Sequence, residues 1–314
     1  MGLRLWLLNL YLRAFAKRPL KRMRDPLVLR RRLERDAARF FIVPEGANFA
    51  EEAVRASGDR GQARPTPVVW ASRNRPDRHK VILYLHGGAY IAGSPRTHRH
   101  LGAALAGAAG ARAVLPDYRL APEHTFPAAL DDALSVYRHL LGSGYAPGAI
   151  ALAGDSAGGG LVFALLLRAR REGLPRPACA VGFSPWVDLT AGQPSLRRNA
   201  RRDVMLPADR AAEVARLYLG GHDPADPLAS PLFGAWRDPP PALIMASRSE
   251  ILVDEAIGLA ESLRQGGGDV RLELWRGLPH AWPIFWGLIP EAGAAVAHAG
   301  AFIARNLDGM PQEA

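Results

Sequence analysis

Cysteine is nearly absent from this chain, since Cys179 is the only one among its 314 residues. A lone cysteine cannot form an intrachain disulfide, so the sequence gives no indication of an oxidising compartment. Cys179 lies in an apolar run, residues 178–183. This setting favours a small buried side chain over a reactive thiol.

Long hydrophobic runs are also lacking. Residues 1–15 are rich in leucine and aromatics, but Arg4 and Arg13 leave only about eight uncharged residues between them, and no small-residue cleavage site follows. A membrane-spanning helix needs about twenty apolar residues. We therefore predict neither a secretion signal nor a spanning helix, and we expect a cytoplasmic protein.

Acidic residues are scarce at the start of the chain. Residues 1–40 carry twelve Lys and Arg against three Asp and Glu, a net charge of +9. The whole chain has a net charge of +10, so the remainder is close to neutral. Because the basic character belongs to one segment, a nucleic-acid enzyme with a basic active face is disfavoured, and no nucleic-acid partner is expected.

Residues 1–40 fit two structures. Apolar residues such as Leu3, Trp6, Leu7 and Leu10 recur at three-to-four spacing, which is typical of an amphipathic helix. Such helices could fold as a cap over an active site, or lie on an anionic membrane surface. We predict a cap, with peripheral membrane contact as a second role.

From residue 81 onward, short β-rich runs alternate with amphipathic helical patterns. This alternation predicts an α/β fold with a mostly parallel central sheet and helices on both faces. The predicted strands are 67–70, 81–86, 112–115, 150–153, 178–183, 242–246 and 270–275, and the predicted helices are 128–141, 157–171, 254–265 and 291–305.

Residues 186–241 interrupt the alternation with many prolines and glycines and one predicted helix, 208–219. Insertions at the carboxyl edge of such a sheet tend to cover the ligand crevice. We therefore predict three regions. They are N-terminal cap helices in 1–50, a catalytic domain in 51–185 and 221–314, and a cap insertion in 186–220.

The segment Gly154-Asp155-Ser156-Ala157-Gly158 fits the G-x-S-x-G pattern of a nucleophile elbow. In that turn a strand reverses sharply into a helix and exposes a serine hydroxyl. A strand pattern precedes this segment and a helical pattern follows it, as the motif requires. A helix N-terminus beside the serine would also favour developing negative charge.

A serine hydroxyl needs a base to take its proton. In enzymes built on such an elbow, an acid and then a histidine follow the serine along the chain. His298 lies within a helical pattern, and His222 lies in the interrupting stretch 186–241, remote from any predicted strand end. His280 follows the strand that ends at Trp275, which is where this architecture places catalytic groups, so we assign the base to His280.

The acid should also follow a strand end. Glu250 falls in the loop after strand 242–246, whereas Asp254 and Glu255 begin the next helix, where carboxylates also serve as capping and dipole partners. Either Glu250 or Asp254 could orient the histidine, and position favours Glu250.

An oxyanion hole requires backbone N–H groups that approach the substrate closely. The segment His86-Gly87-Gly88-Ala89-Tyr90 follows a strand, and its glycines permit such an approach. We predict donors among Gly87, Gly88 and Ala89, together with Ala157 after the serine. His86 is interpreted as a brace for the loop.

Taken together, these motifs resemble the bacterial hormone-sensitive-lipase-like esterases of the α/β-hydrolase superfamily. The resemblance spans roughly residues 80–285 and implies a serine carboxylesterase with the triad Ser156, Glu250 and His280, and without a metal or cofactor. It rests on five segments: His86-Gly-Gly-Ala-Tyr90, residues 117–132, Gly154-Asp-Ser-Ala-Gly-Gly159, residues 184–190 and Leu278-Pro-His-Ala-Trp282.

The chain departs from the family pattern at two positions. Ala89 stands where many members carry a third glycine, and Glu250 stands where many carry aspartate. Backbone donation survives the first change, and glutamate at the second position looks like a variant known within the family. Three aromatic residues are candidates either for pocket walls or for core packing: Tyr90, Trp186 and Trp282.

These observations predict hydrolysis of short- to medium-chain acyl esters through an acyl-enzyme intermediate. The rival from another class is a non-catalytic protein that binds a small ligand on the same fold. Such a protein would not need the serine and histidine that this chain carries. The sequence leaves open the natural ester, its stereochemistry and whether the protein forms a homo-oligomer.

Overall fold

The central element of the fold is an eight-stranded sheet, seen in a computed structural model that describes residues 2–55 and 64–308. The strand order is β1-β2-β4-β3-β5-β6-β7-β8. Strand β2 runs antiparallel to β1 and β4, and the other neighbours are parallel. The strands are β1 Ala47–Val54, β2 Thr66–Arg73, β3 Val81–Leu85, β4 Arg112–Pro116, β5 Ile150–Asp155, β6 Cys179–Phe183, β7 Ala242–Ser247 and β8 Val270–Trp275.

Helices cover both faces of this sheet, as the alternation predicted. Along β5, Ile150 and Leu152 join one apolar cluster with α5, α6 and α9, whereas Ala151 and Ala153 join a second cluster with α4 and α10. This is the two-residue period of a strand buried on both faces. The helices are α1 Leu3–Leu12, α2 Arg18–Arg22, α3 Pro26–Phe40, α4 Pro95–Ala109, α5 Ala128–Gly142, α6 Ser156–Arg171, α7 Pro194–Arg198, α8 Ala211–Leu219, α9 Val253–Gln265 and α10 Pro290–Asp308.

The N-terminal helices pack against the rest of the chain through basic side chains. A π-helical segment, Arg13–Lys17, joins α1 to α2. Lys17 Nζ donates to the backbone oxygens of Ala200 and Asp203 in the insertion, both at 2.6 Å. Arg30 in α3 donates to the backbone oxygens of Ile91 and Ala121, both at 2.8 Å.

The sheet begins earlier than the predicted cap boundary, because β1 starts at Ala47, before residue 50. In the insertion, the predicted helix 208–219 is a short 3-10 turn, Ala208–Arg210, followed by α8. None of the helices in the described residues is long and apolar enough to cross a membrane.

The single cysteine lies on the central strand β6. Its side chain is fully buried, with 0% exposure, in the cluster beneath α4 and α10. Burial raises the pKa of the Cys179 thiol to about 12. The thiol therefore packs as a small apolar group and stays protonated at neutral pH.

Candidate active site

Ser156 lies at the junction of β5 and α6, in a backbone conformation that is uncommon for serine. Its φ angle is +53°, in the left-handed region. The turn is too tight for side chains on either side. A Cβ at Gly158 would lie 2.0 Å from the carbonyl oxygen of Leu85, and one at Gly154 would lie 2.7 Å from the same atom. The two flanking glycines are therefore required for β3 to approach this turn.

His280 and Glu250 form a buried pair at the carboxyl edge of the sheet. Nδ1 of His280 lies 2.7 Å from Oε2 of Glu250, and the two residues are 2% and 1% exposed. Because a carboxylate only accepts, Nδ1 carries the proton and donates it. Nε2 of His280 is buried and has no hydrogen-bond partner among the described residues.

Glu250 is held rigidly by the loop around it. Its Oε1 accepts from the amide of Ser247 at 2.9 Å, and its carbonyl oxygen accepts from Asn199 Nδ2 at 2.9 Å. Asp203 accepts from the next amide, that of Ile251, at 3.0 Å. Residues of the insertion therefore fix the loop that carries Glu250.

Asp254, the alternative acid, is paired elsewhere. Its carboxylate accepts from the guanidinium of Arg198 at 2.6 Å and from the amide of Ser195 at 2.8 Å. Neither of the other candidate bases contacts Glu250. His222 packs edge-on against Phe126, and His298 lies half-exposed on α10, 3.4 Å from Glu273.

The environment of His280 favours its cationic form on balance. Burial by itself lowers the pKa of the imidazole, but the hydrogen bond and charge of Glu250 raise it. The charges of Asp203 and Asp155 add to this effect, and the pKa of His280 lies above the usual histidine value. The imidazole is thus poised to accept a proton.

The amides of the loop after β3, which is predicted to form the oxyanion hole, are not all free to donate to a substrate. The amide of Gly87 donates to Oδ1 of Asp155 at 3.0 Å, so it is already engaged. The amides of Gly88 and Ala89 have no partner in the described part of the chain. Ala157 is the second residue of α6, and amides of a first helical turn have no intrahelical acceptor. Of the predicted donors, Gly88, Ala89 and Ala157 therefore remain available, while Gly87 anchors the loop.

Asp155 organises a polar cluster beneath this loop that sequence reasoning missed. Its Oδ1 also accepts from Tyr84 Oη at 2.7 Å, and its Oδ2 lies 3.5 Å from Nε2 of His98. The interpretation of His86 as a brace agrees with this geometry. The ring of His86 stacks on that of Tyr118 with the centroids 4.1 Å apart. Burial lowers the pKa of His86 to about 3, so its ring is neutral at neutral pH.

The three aromatic candidates lie in two places. The ring centroids of Tyr90 and Trp186 are 5.8 Å apart, and the ring of Tyr90 stacks on that of Tyr218 in α8 with the centroids 3.8 Å apart. These three rings therefore join the predicted oxyanion loop to the insertion. Of the two alternatives for Trp282, its burial favours core packing over a pocket wall. It is 0% exposed and packs against Trp275 in the cluster on the α4 and α10 face.

This arrangement of a parallel sheet, an elbow serine and a buried histidine–carboxylate pair defines the α/β-hydrolase class. The model of an α/β-hydrolase-fold family matches residues 82–284, and the chain belongs to this family.

Similar proteins narrow the class further. An acetyl-hydrolase of Streptomyces hygroscopicus is 43% identical over 234 residues, which are 74% of this chain and 78% of that protein. An esterase of Acinetobacter venetianus is 32% identical over 268 residues, 85% of this chain and 86% of that protein.

Solved structures agree with these relatives. An esterase of the bacterial hormone-sensitive lipase family superposes with a TM-score of 0.90 at 36% identity, covering 98% of this chain and 99% of that one. EstE5, from a crystal soaked with p-nitrophenyl butyrate, superposes with a TM-score of 0.89 at 36% identity, over the same shares of the two chains. The chain is a carboxylic ester hydrolase of the hormone-sensitive-lipase-like esterases.

Proposed function

We propose that this protein is a serine carboxylesterase that hydrolyses short- to medium-chain acyl esters through an acyl-enzyme intermediate on Ser156. The observation that carries the proposal is the buried His280–Glu250 hydrogen bond of 2.7 Å, which leaves Nε2 of His280 without a partner among the described residues. In the neutral imidazole whose Nδ1–H donates to Glu250, this buried nitrogen carries the free lone pair that a general base requires.

In the proposed acylation step, Ser156 Oγ attacks the ester carbonyl and Nε2 of His280 takes the hydroxyl proton. Glu250 holds the imidazole in one tautomer and stabilises the cation that forms. No hydrogen bond joins Ser156 Oγ to His280 in the described residues. Nucleophile–base bonds are often loose before substrate binds, so this geometry is consistent with the role.

The negative charge of the tetrahedral intermediate would be held by the amides of Gly88, Ala89 and Ala157. Loss of one such donor typically raises the barrier by about 3 kcal/mol. His280 then protonates the leaving alcohol, and the same imidazole deprotonates the water that releases the acyl group. These steps require no metal or cofactor from the chain.

The nucleophilic serine can be labelled directly. Phenylmethylsulfonyl fluoride sulfonylates activated serines with loss of HF, so the peptide that contains Ser156 should gain the mass of one phenylmethylsulfonyl group in place of the hydroxyl hydrogen, and turnover of p-nitrophenyl esters should be abolished. Across a panel from acetate to palmitate, turnover should be greatest for the shorter acyl chains, in line with the acetyl-hydrolase and p-nitrophenyl butyrate named for similar proteins. A folded protein that turns over no ester of the panel would favour the non-catalytic binding protein.

We also propose that residues 1–40 make peripheral contact with an anionic membrane surface. In the described residues, eleven of the twelve exposed large apolar side chains lie between residues 3 and 43. On α1 these include Leu3, Trp6, Leu7 and Leu10, which share one helix face and are 48% to 73% exposed. An apolar face amid a net charge of +9 matches the headgroups and acyl boundary of an anionic bilayer.

The membrane contact predicts salt-dependent sedimentation with vesicles of phosphatidylserine and phosphatidylcholine, and weak sedimentation with phosphatidylcholine alone. Trp6→Glu combined with Leu10→Glu should raise the lipid concentration for half-binding at least about tenfold, because apolar burial is lost and like charge is added. Phe233→Glu is the matched control, since Phe233 is 44% exposed but lies outside this face. Equal binding by both variants, or a dimer in solution that the double variant disrupts, would contradict the proposal.

A further inference from the structure

Ser184 adopts a strained conformation directly after β6 that the reaction scheme above does not explain. Its φ angle is +48°, and its side chain is fully buried, with 0% exposure. Its amide donates to the carbonyl oxygen of Met245 on β7 at 2.6 Å. A non-glycine residue in the left-handed region persists only where the surroundings hold it there, and such residues concentrate at functional sites.

The hydroxyl of Ser184 contacts the segment that carries the proposed base. Its Oγ accepts from the amide of Ala281, the residue after His280, at 3.0 Å. Ala281 is itself in the left-handed region, with a φ angle of +49°, and is 3% exposed. The bond therefore satisfies a buried amide and fixes the backbone at the sharp bend beside His280.

The same turn also contacts the segment that carries the nucleophile. The amide of Trp186, two residues after Ser184, donates to the carbonyl oxygen of Ser156 at 2.9 Å. Residues 184–186 thus hold the backbone of Ser156 on one side and the backbone beside His280 on the other. We call residues 184–186 the bridging turn.

The segment directly after the bridging turn is anchored by the buried side chain of Glu255. Oε2 of Glu255 accepts from the amides of Val187 at 2.9 Å and Asp188 at 3.0 Å. Glu255 is 3% exposed, and burial raises its pKa well above the usual value. Two buried amide donors and an enclosed carboxyl leave the segment after Trp186 little freedom to shift.

From these contacts we infer that Ser184 is a positioning residue of the esterase reaction. Its hydroxyl sets the orientation of the His280 segment relative to Ser156, through the amide of Ala281. This inference rests on the proposed roles of Ser156 and His280. It assigns to Ser184 no contact with substrate and no proton transfer.

The test is Ser184→Ala with Ser230→Ala as a matched control. Ser230 is also 0% exposed, and its Oγ likewise accepts from a loop amide, that of Leu189, at 2.8 Å, while its hydroxyl donates to the carbonyl oxygen of Pro224 at 2.6 Å. Both variants lose one buried hydroxyl from the region after β6, and the melting temperature of Ser230→Ala should fall at least as far as that of Ser184→Ala. Ser184→Ala should lower kcat by about tenfold to hundredfold, because small misplacements of reacting groups have effects of that size. The KM of Ser184→Ala, and both kcat and KM of Ser230→Ala, should stay within about twofold of the wild-type values.

Two further substitutions separate the hydroxyl from the backbone. Ser184→Gly accepts the left-handed conformation and should fold, but it lacks the hydroxyl and should lose kcat as the alanine variant does. Ser184→Thr retains the hydroxyl and should recover most of the lost kcat at temperatures where it is folded. The inference is overturned if the glycine variant keeps wild-type kcat, or if Ser230→Ala loses as much as Ser184→Ala.

Failure of this inference is distinguishable from failure of the proposed function. If Ser184→Ala and Ser184→Gly keep full kcat while phenylmethylsulfonyl fluoride still labels Ser156, the triad stands and Ser184 is merely structural. If phenylmethylsulfonyl fluoride does not label Ser156 in the active wild type, the proposed function is wrong, and the inference is wrong with it.

Discussion

Replacing Ser156 by alanine should lower kcat for p-nitrophenyl esters at least about 10⁴-fold, because the acyl-enzyme can no longer form. The remaining turnover would come from the oxyanion amides and substrate binding alone. The variant should stay folded, and alanine tolerates the left-handed backbone of this turn no worse than serine does. The measurement is steady-state turnover together with the melting temperature.

Ser143→Ala is the matched control for this substitution. Ser143 also lies beside a histidine, with Oγ 3.3 Å from Nε2 of His139, but at the exposed end of α5, before β5 begins, whereas the elbow lies at the carboxyl end of β5. Its turnover should equal that of the wild type. If Ser156→Ala retained wild-type kcat, the acyl-enzyme mechanism would be wrong, whatever the result for the control.

Glu250→Gln should lower kcat by about 10³-fold to 10⁴-fold, because a neutral amide neither stabilises the imidazolium nor enforces the required tautomer. The pH profile should change as well. Only neutral His280 accepts a proton from the serine, so wild-type kcat/KM should rise as pH rises through the raised pKa of His280. Removing the charge of Glu250 removes the main contribution that raises the pKa of His280, so the acid limb should move to lower pH.

Asp254→Asn provides the comparison for the acid. Asp254 pairs with Arg198 and the amide of Ser195, so its loss should weaken α7 packing but leave kcat within about threefold. The acid limb of its profile should not move. A larger loss of kcat in Asp254→Asn than in Glu250→Gln would transfer the role of the acid to Asp254.

Much of the architecture follows from sequence patterns with strong physical causes. A strand buried on both faces must be a continuous apolar run, and such runs marked β3, β5, β6 and β7 within a few residues. Because the carboxyl ends of parallel strands share one edge, the loops after β7 and β8 could be predicted to bring Glu250 and His280 together. The structure brings them to 2.7 Å.

Helix α4 was missed, although its N-terminus carries a clear signal. Ser94 and Thr97 form a reciprocal capping box with Pro95 at the first helical position. Histidines and arginines occupy the first turns of this helix, yet His98 and His100 are 4% and 2% exposed. Their burial depends on partners distant in sequence, such as Asp155, and local patterns do not reveal such partners.

Other features could not be read from the chain because they depend on three-dimensional contacts. The amide of Gly87 is engaged by Asp155, 68 residues away, so the predicted set of oxyanion donors included one that is occupied. Trp282 lies two residues after the loop histidine His280, but its side chain is buried in the core cluster that includes α10. Ser184 and Ala281, which are in contact, are 97 residues apart in the chain, and no residue spacing or composition in the sequence predicts that contact.

The burial of Cys179 has a practical consequence for observing this enzyme at work. Since the chain has no other cysteine and this thiol is enclosed and protonated, maleimide reagents should not modify the native protein. A cysteine introduced on the surface would then be the single labelling position without any background substitution. Fluorophores placed in this way on α8 or α1 could follow movements of these helices during turnover, in an otherwise natural sequence.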